Sequence, residues 1–287
     1  MSAHPLPPPT AEGPLLAWLV EVLRPMSRTR VKELLRDGRV AVNGTPTTRF
    51  DHPLRPGDRV TVGRSQPDDR ELERAGVKIV FEDDALLVID KPSGLLAVAT
   101  EAEKADTAFA RLNSHLAAKH AGRPFVVHRI DRETSGLLLF ARSAAIRDRL
   151  QANWDGVAKT YLAVVEGTPK PAEGTVENDL VECRSLRVRA GGGPGAKRAL
   201  SRYRVVASRG PYSLVEVGLE TGRKHQIRVH LAGLGCPVVG DKVYGAETNP
   251  VGRLGLHAWR LAFDHPVSGK RVDLESPLPD KLRRVVS

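Results

Sequence analysis

Two stretches of the chain gather side chains able to act on a covalent bond. The first is His128-Arg129-Ile130-Asp131-Arg132-Glu133-Thr134-Ser135-Gly136. It lies between two apolar runs, Phe125-Val126-Val127 and Leu137-Leu138-Leu139, which read as buried strands. Loops held on rigid strands are where reactive groups usually sit, and Asp131 supplies a carboxylate between neighbouring arginines. The same pattern also describes a connecting loop stapled by its own ion pairs. The second stretch, Thr221 to Gly235, repeats Ile227, Leu231 and Leu234 at helical spacing and stops at a glycine. Arg228 borders that apolar stripe beside Leu231. An arginine turned inward needs a carboxylate, because an unpaired buried charge is very costly. His225 and His230 diverge by about 140° on a helix, which does not suit a shared metal ion, so both read as structural histidines.

Other segments carry less by themselves. Lys159 to Gly167 alternates as a strand does, with Tyr161, Ala163 and Val165 on one face; a tyrosine there is more often core than a platform for a ligand. Gly191-Gly192-Gly193-Pro194-Gly195-Ala196-Lys197 lacks the Gly-Lys-Ser/Thr of a phosphate loop and no helical pattern follows it, which excludes nucleotide binding of that kind. His128-Arg129-Ile130-Asp131 is not a kinase catalytic loop, since the Gly-rich strand turn and Asp-Phe-Gly are missing. The two cysteines, Cys183 and Cys236, are far apart, which excludes a disulfide framework and a cysteine zinc site.

These residues must be positioned by a chain of 287 residues, long enough for two domains with full cores. Residues 1–14 are Pro-rich and read as a disordered arm. Residues 15–23 and 28–37 have helical periodicity, with Ser27 as N-cap and Gly38 past the end. Val40-Ala41-Val42 leads into Asn43-Gly44, a strong hairpin signal, and a further strand at Asp58 to Val62 completes a small unit over 15–63. The polar, charged stretch 64–76 reads as a linker. From Val77 to the C-terminus strands dominate: Ala85 to Asp90, Phe125 to Val127, Leu137 to Ala141, Tyr161 to Val165 and Tyr212 to Leu219. Helices are expected at Thr107 to Lys119, Ala144 to Trp154 and after Gly222. Runs of strands with segregated helices predict an α+β fold around a largely antiparallel mixed sheet.

The formal net charge is +10, and it is concentrated. Residues 184–230 hold eleven Lys and Arg against Glu216 and Glu220, and Arg24 to Arg39 hold six against Glu33 and Asp37. Two basic zones in an otherwise slightly acidic chain read as phosphate-facing surfaces; a merely solvated face is the plainer alternative. The longest early apolar run, Leu15 to Val20, is too short to span a bilayer and no basic leader precedes it, so the expectation is a cytoplasmic protein with no membrane partner.

From about Val77 to the C-terminus the chain resembles the RluA-type pseudouridine synthases. The resemblance is carried, in order, by Lys91-Pro92-Ser93-Gly94-Leu95-Leu96, the His128 to Gly136 loop, Lys159 to Gly167, Gly222 to His230, Gly240-Asp241-Lys242-Val243-Tyr244-Gly245 and Leu256-His257-Ala258-Trp259. Residues 15–63 are similar to the small αL RNA-binding domain of ribosomal proteins, through Ser27 to Lys32 and Val40 to Gly44. A Leu16-Ala17 pair stands where that domain usually opens with Leu-Asp, and the tri-glycine at 191–193 is an insertion.

The resemblance implies an enzyme that isomerises uridine in RNA to pseudouridine without metal or cofactor, with a pseudouridine synthase catalytic domain over 77–287. It implies that Asp131 is the catalytic carboxylate, that Arg228 pairs with it, and that Tyr161 packs on the target uracil. It also implies that Arg129 enters the stack vacated by a flipped base. Arg132, Arg223 and Lys224, together with Arg28, Arg30 and Lys32 of the small domain, are the expected RNA contacts. An αL domain ahead of the catalytic domain favours large-subunit ribosomal RNA over transfer RNA, and a monomer is expected. The competing reading is a non-catalytic RNA-binding or ribosome-assembly protein that keeps the fold. Binding alone does not require Asp131, Tyr161 and Arg228 together. A hydrolytic glycosidase ranks below both, because it needs a second carboxylate to deliver water and none is obvious.

Overall fold

A computed structural model describes residues 3–36, 38–63, 69–100, 106–119, 121–183 and 187–287, which fall into two units, Met1–Asp68 and Asp69–Ser287. Of the expected linker, residues 64–68 lie outside the described residues, as do Asp37 and Arg184 of the basic zones.

In the first unit, helix Arg28–Arg36 turns Val31, Leu34 and Leu35 inward. They pack with Leu15 and Leu19 of helix Leu15–Val22 and with Val40, Leu54 and Val60. Ser27 caps the basic helix, its hydroxyl accepting from the Arg30 N–H at 3.3 Å. Val40–Val42 and Thr45–Thr47 form the expected hairpin, Asn43 and Gly44 both taking positive φ. The Asn43 amide then bridges to Asp58 and to the Arg59 N–H, each at 2.9 Å. Residues 3–14 correct one expectation. They are not a disordered arm: Ala3–Pro5 pairs antiparallel with Val60–Gly63, and Gly13–Pro14 pairs with Pro53–Leu54. Proline is tolerated there because Ala3–Pro5 is an edge strand.

The second unit is built on one sheet with eleven strands among the described residues. Its path runs Val188–Ala190, Glu173–Glu182, Lys197–Arg209, Tyr212–Leu219, Ala158–Glu166, Leu256–Asp264, Ser135–Ala141, Leu86–Lys91, Lys78–Glu82. Arg271–Glu275 and Phe125–Val126 pair off this path. Every pairing is antiparallel except Ser135–Ala141 with Leu256–Asp264, which is parallel. The α+β architecture with a largely antiparallel mixed sheet is therefore as expected.

Leu86–Lys91 and Ser135–Ala141 read as continuous apolar runs because both sheet faces are covered. Leu87, Ile89, Leu138 and Phe140 pack on helix Ala108–Ala118. Leu86, Val88, Leu137 and Leu139 pack with Leu150 of helix Ala144–Ala152. Thr107 and Ser143 cap those two helices. The linker expectation also needs correction: Asp69–Arg74 is helical and Leu72 is buried in the first of these clusters. Its single apolar side chain among charges reads as polar linker until Val77, Ala108 and Leu116 are seen around it. Glu173–Glu182 and Lys197–Arg209 were not anticipated as strands. Their exposed charged residues alternate with half-buried ones, so no apolar run marks them. No helix among the described residues is long and apolar enough to cross a membrane.

Candidate active site

The Asp131 loop is fixed from below by Lys91, the last residue of strand Leu86–Lys91. Its side chain is fully buried, and Nζ donates to the carbonyls of Pro92 at 2.9 Å, Leu95 at 2.7 Å and Arg132 at 3.1 Å. Burial pushes the Lys91 ammonium down to about 7. Gly94 N–H donates to the same Arg132 carbonyl at 2.9 Å, Ser93 Oγ donates to Glu133 O, and Arg132 Nε returns to Gly94 O. On the other side of the loop, His128 Nε2 accepts from the Leu139 N–H at 3.0 Å. Its ring lies against Trp154, and burial pushes it down to about 3, so it is a neutral acceptor. Gly136 closes the loop. A Cβ there would stand 2.2 Å from the Ala258 carbonyl oxygen, so only glycine lets the parallel strand Leu256–Asp264 approach.

Asp131 faces helix Gln226–Gly233, whose start is locked by buried Gln226. The Gln226 amide donates to Leu200 O and Ser201 Oγ and accepts from Thr221 Oγ1 and the Arg223 N–H. Arg228 NH1 approaches Asp131 Oδ2 at 3.5 Å. The same guanidinium makes a bidentate pair with Asp241, Nε to Oδ2 at 2.6 Å and NH2 to Oδ1 at 2.8 Å, and lies over the Tyr244 ring at 4.9 Å. Burial opposes the Arg228 charge, but Asp241 and then Asp131 outweigh it and raise its pKa above the ordinary value. Arg228 thus lies within ion-pair distance of Asp131 but is shared between two acids. The closer, fully bonded partner is Asp241.

Tyr161 sits on strand Ala158–Glu166 and lines, with Asp131, Ile130, Leu219 and Arg228, a recess open to solvent. Burial, and then the Asp131 charge, push its phenol above the ordinary range, so it stays protonated. A groove bounded by Leu96, Val98, Arg132, Glu182 and Lys224 adjoins it and shares Arg129, Asp131, Arg223 and His225. The recess therefore offers an accessible carboxylate, Asp131, beside a flat phenol ring, with exposed arginines at its rim. Such a set can work at a sugar–base bond with a base stacked on Tyr161. Among the described residues no group of three His, Cys, Asp or Glu is placed to hold a metal ion.

The expected residues Asp131, Tyr161, Arg228, Arg129 and Arg223 come together at this recess. Arg132 and Lys224 line the groove, where Lys224 is paired with Glu182. Arg28, Arg30 and Lys32 belong to the other unit, on helix Arg28–Arg36, where Arg30 is paired with Glu33 at 2.7 Å. The basic zone over 184–230 is less free than its composition implies. Arg198, Arg202 and Arg204 each meet a glutamate from a neighbouring strand or its end, namely Glu177, Glu220 and Glu216.

Three residues of the site were missed. Asp241 and Tyr244 lie in Gly240 to Gly245, a motif quoted for resemblance alone. The demand of an inward Arg228 for a carboxylate was the signal that such an acid exists, though it does not say which one. His225, expected to be structural, reaches 3.9 Å from Asp131 Oδ2. His230 is structural: it contacts Ser201 Oγ and Asn178 Oδ1, and burial pushes it down to about 4.

Residues 85–233 match the family model for RNA pseudouridylate synthase. The chain is 34% identical to an uncharacterized RNA pseudouridine synthase of Bacillus subtilis, over 91% of this chain and 88% of that one. It is 32% identical to ribosomal large subunit pseudouridine synthase D of Neisseria meningitidis, over 96% and 79%. Among solved structures, human RNA pseudouridylate synthase domain containing 4 aligns with a TM-score of 0.63 at 26% identity, covering 77% of this chain and 96% of that one.

Proposed function

The chain belongs to the RNA pseudouridylate synthase family and is an RNA pseudouridine synthase, and from that premise we propose that Asp131 is its catalytic carboxylate and large-subunit ribosomal RNA its substrate. The reaction breaks the bond between ribose C1′ and uracil N1, turns the base, and joins C1′ to C5. The C5 proton is lost and N1 gains one, so substrate and product are isomers. Asp131 acts at the sugar, by attack on C1′ or by taking a proton from the adjacent carbon. Tyr161 supports the uracil face through its neutral ring. Arg228 fixes the carboxylate, and Arg129 enters the stack that the flipped uridine leaves.

The observation that carries this reading is the unequal treatment of the two carboxylates on Arg228. The Asp131 side chain is 29% exposed in a recess beside Tyr161, whereas that of Asp241 is 1% exposed and bonded through both oxygens. Of these two, Asp131 alone is free to react. Hydrolysis needs a second carboxylate to activate water, and among the described residues no other acid lines the recess with Tyr161, which favours isomerisation over a glycosidase. The ribosomal substrate is favoured by relatives named large subunit pseudouridine synthases and by the basic helix carrying Arg28, Arg30 and Lys32, suited to phosphate contacts. Such a substrate also favours action in the cytoplasm.

Mapping pseudouridine across total RNA from cells with the wild-type gene, without it, and with Asp131→Asn tests both parts. The expected result is one or more large-subunit sites lost in the deletion and not restored by Asp131→Asn. Sites confined to transfer RNA would overturn the substrate, and restoration by Asp131→Asn would overturn the catalytic role.

A further inference from the structure

The side chain of His225 is one that the reaction outlined above does not use, although it borders both the recess and the groove. Its backbone is in the left-handed region, φ 54° and ψ 17°, immediately before helix Gln226–Gly233. A non-glycine residue is uncommon there and such strain collects at functional sites. The buried Gln226 bonds and the Arg228–Asp241 pair hold the chain on either side of it. The ring is thereby set between two groups, with Nδ1 at 2.8 Å from Tyr244 Oη and Nε2 at 3.9 Å from Asp131 Oδ2.

The tautomer follows from hydrogen-bond accounting. Tyr244 Oη accepts the Val188 N–H at 3.0 Å, and among the described residues the acceptor placed for its own proton is His225 Nδ1. A neutral imidazole that accepts at Nδ1 carries its proton on Nε2, the nitrogen turned toward Asp131. Arg228 NH1 approaches the same oxygen, Oδ2. Both donors are therefore on one side of the carboxylate.

We infer that His225 is a positioning residue for the isomerisation: as a neutral imidazole protonated on Nε2, it shares with Arg228 the task of holding Asp131 Oδ2, leaving Oδ1 to meet the ribose. This rests on Asp131 being the catalytic carboxylate. The charged and titratable groups facing the ring are Asp131 on its loop, Arg228 and Lys224 on its own segment, and Asp241 and Tyr244 on the turn after Gly240. Glu182, from strand Glu173–Glu182, pairs with Lys224. Burial, then Arg228 and Lys224, lower the His225 pKa against the pull of Asp131 and Asp241, which keeps the ring neutral near pH 7. Protonation turns Nδ1 into a donor, breaks the bond from Tyr244 and places a second cation beside Asp131. The rate should therefore fall as pH drops through a value below the ordinary histidine range.

The test is single-turnover isomerisation by the full-length protein, followed as tritium release from large-subunit ribosomal RNA transcribed with C5-tritiated uridine, from pH 5 to 8. His225→Gln supplies an amide N–H near the Nε2 position but does not titrate. It should stay within roughly tenfold of wild type and lose the acid-side inflection. His225→Ala should be slower by roughly ten- to a hundredfold with RNA affinity unchanged. An Ala variant within twofold of wild type, a Gln variant no faster than Ala, or an inflection that survives in Gln would each overturn the inference. Because Gln is judged on its pH profile, the result does not depend on the Ala variant folding. Asp131→Asn in the same assay separates the two readings. If it turns over, the catalytic assignment fails; if it is inert while His225→Ala is fully active, only the role of His225 fails.

Discussion

The loop at 128–134 and the turn at 240–245 present a carboxylate to the same guanidinium under opposite conditions. Asp241 is buried, bonded through both oxygens at 2.6 and 2.8 Å, and has no face left for a substrate. Asp131 is partly exposed, touches Arg228 at one oxygen at 3.5 Å, and opens onto a recess. The loop is held through Lys91, Ser93 and Gly94 on its carbonyls and through the His128 ring on Leu139, and the turn through Gly240 N–H to Thr248 O and Asp241 N–H to Val238 O. The difference teaches how the site divides its tasks. On the proposed reading, one acid fixes the arginine, and the arginine with the braced loop aims the other acid while leaving it reactive. A buried ion pair is weak evidence for stability by itself, but losing one partner strands the other charge.

Three outcomes test that division, beginning with the largest. Asp131→Asn should reduce isomerisation by at least about 10³-fold while the denaturant midpoint stays near wild type, since a partly exposed, singly contacted acid contributes little to folding. A large drop in midpoint would mean that Asp131 is as structural as Asp241. Asp241→Asn should do the reverse in kind: stability should fall by about 3–5 kcal/mol, because Arg228 is left buried without its main partner. Activity per folded molecule should fall less than for Asp131→Asn. Equilibrium urea unfolding beside single-turnover rates reads both, and an unchanged midpoint for Asp241→Asn would break the comparison.

The smallest effect is shared by the loop and by the helix that carries Arg228, because each is braced by a histidine held neutral. His128 anchors the loop and is pushed down to about 3, and His230 anchors the helix bearing Arg228 and is pushed down to about 4. Below the ordinary histidine value of 6.5 the unfolded chain takes up protons that the folded chain refuses. Stability therefore falls with falling pH, by about 1.4 kcal/mol per pH unit for each such histidine, until the folded values are reached. Urea midpoints at pH 7, 6 and 5 should show this fall, and His230→Gln should make it shallower. A stability that is flat between pH 6.5 and 5 would show that these rings titrate freely in the folded protein.

Much of this arrangement was legible in the sequence. Leu137 to Ala141 and Tyr212 to Leu219 are strands because continuous or alternating apolar residues have one physical use in a sheet. Ser27, Thr107 and Ser143 mark helix starts because their hydroxyls satisfy N–H groups that the helix cannot. The inward demand of Arg228 was legible too, but its main partner was not. Spacing says that a buried arginine needs an acid, and only the fold brings residue 241 rather than another acid to it. The approach of His225 to Asp131 was not legible for a related reason: helical divergence from His230 excludes a shared metal, yet says nothing about a loop nearly a hundred residues earlier. The ion pairs inside the basic zone over 184–230 were less legible, because Glu177 and Glu182 lie outside its sequence window, and strand pairing is what brings Glu177 beside Arg198. Pro-rich residues 3–14 were underread, since edge pairing with Val60–Gly63 leaves no trace in their own composition.

The central claim is that Asp131 alone of the two acids performs the chemistry, and tritium release from C5-labelled ribosomal RNA under single turnover measures that claim most directly. With binding saturated and rates normalised to folded protein, Asp131→Asn should bind the RNA and release no tritium, whereas Asp241→Asn should release it at a reduced but measurable rate. Appreciable release by Asp131→Asn, or an Asp241→Asn enzyme that is well folded yet equally inert, would contradict the account.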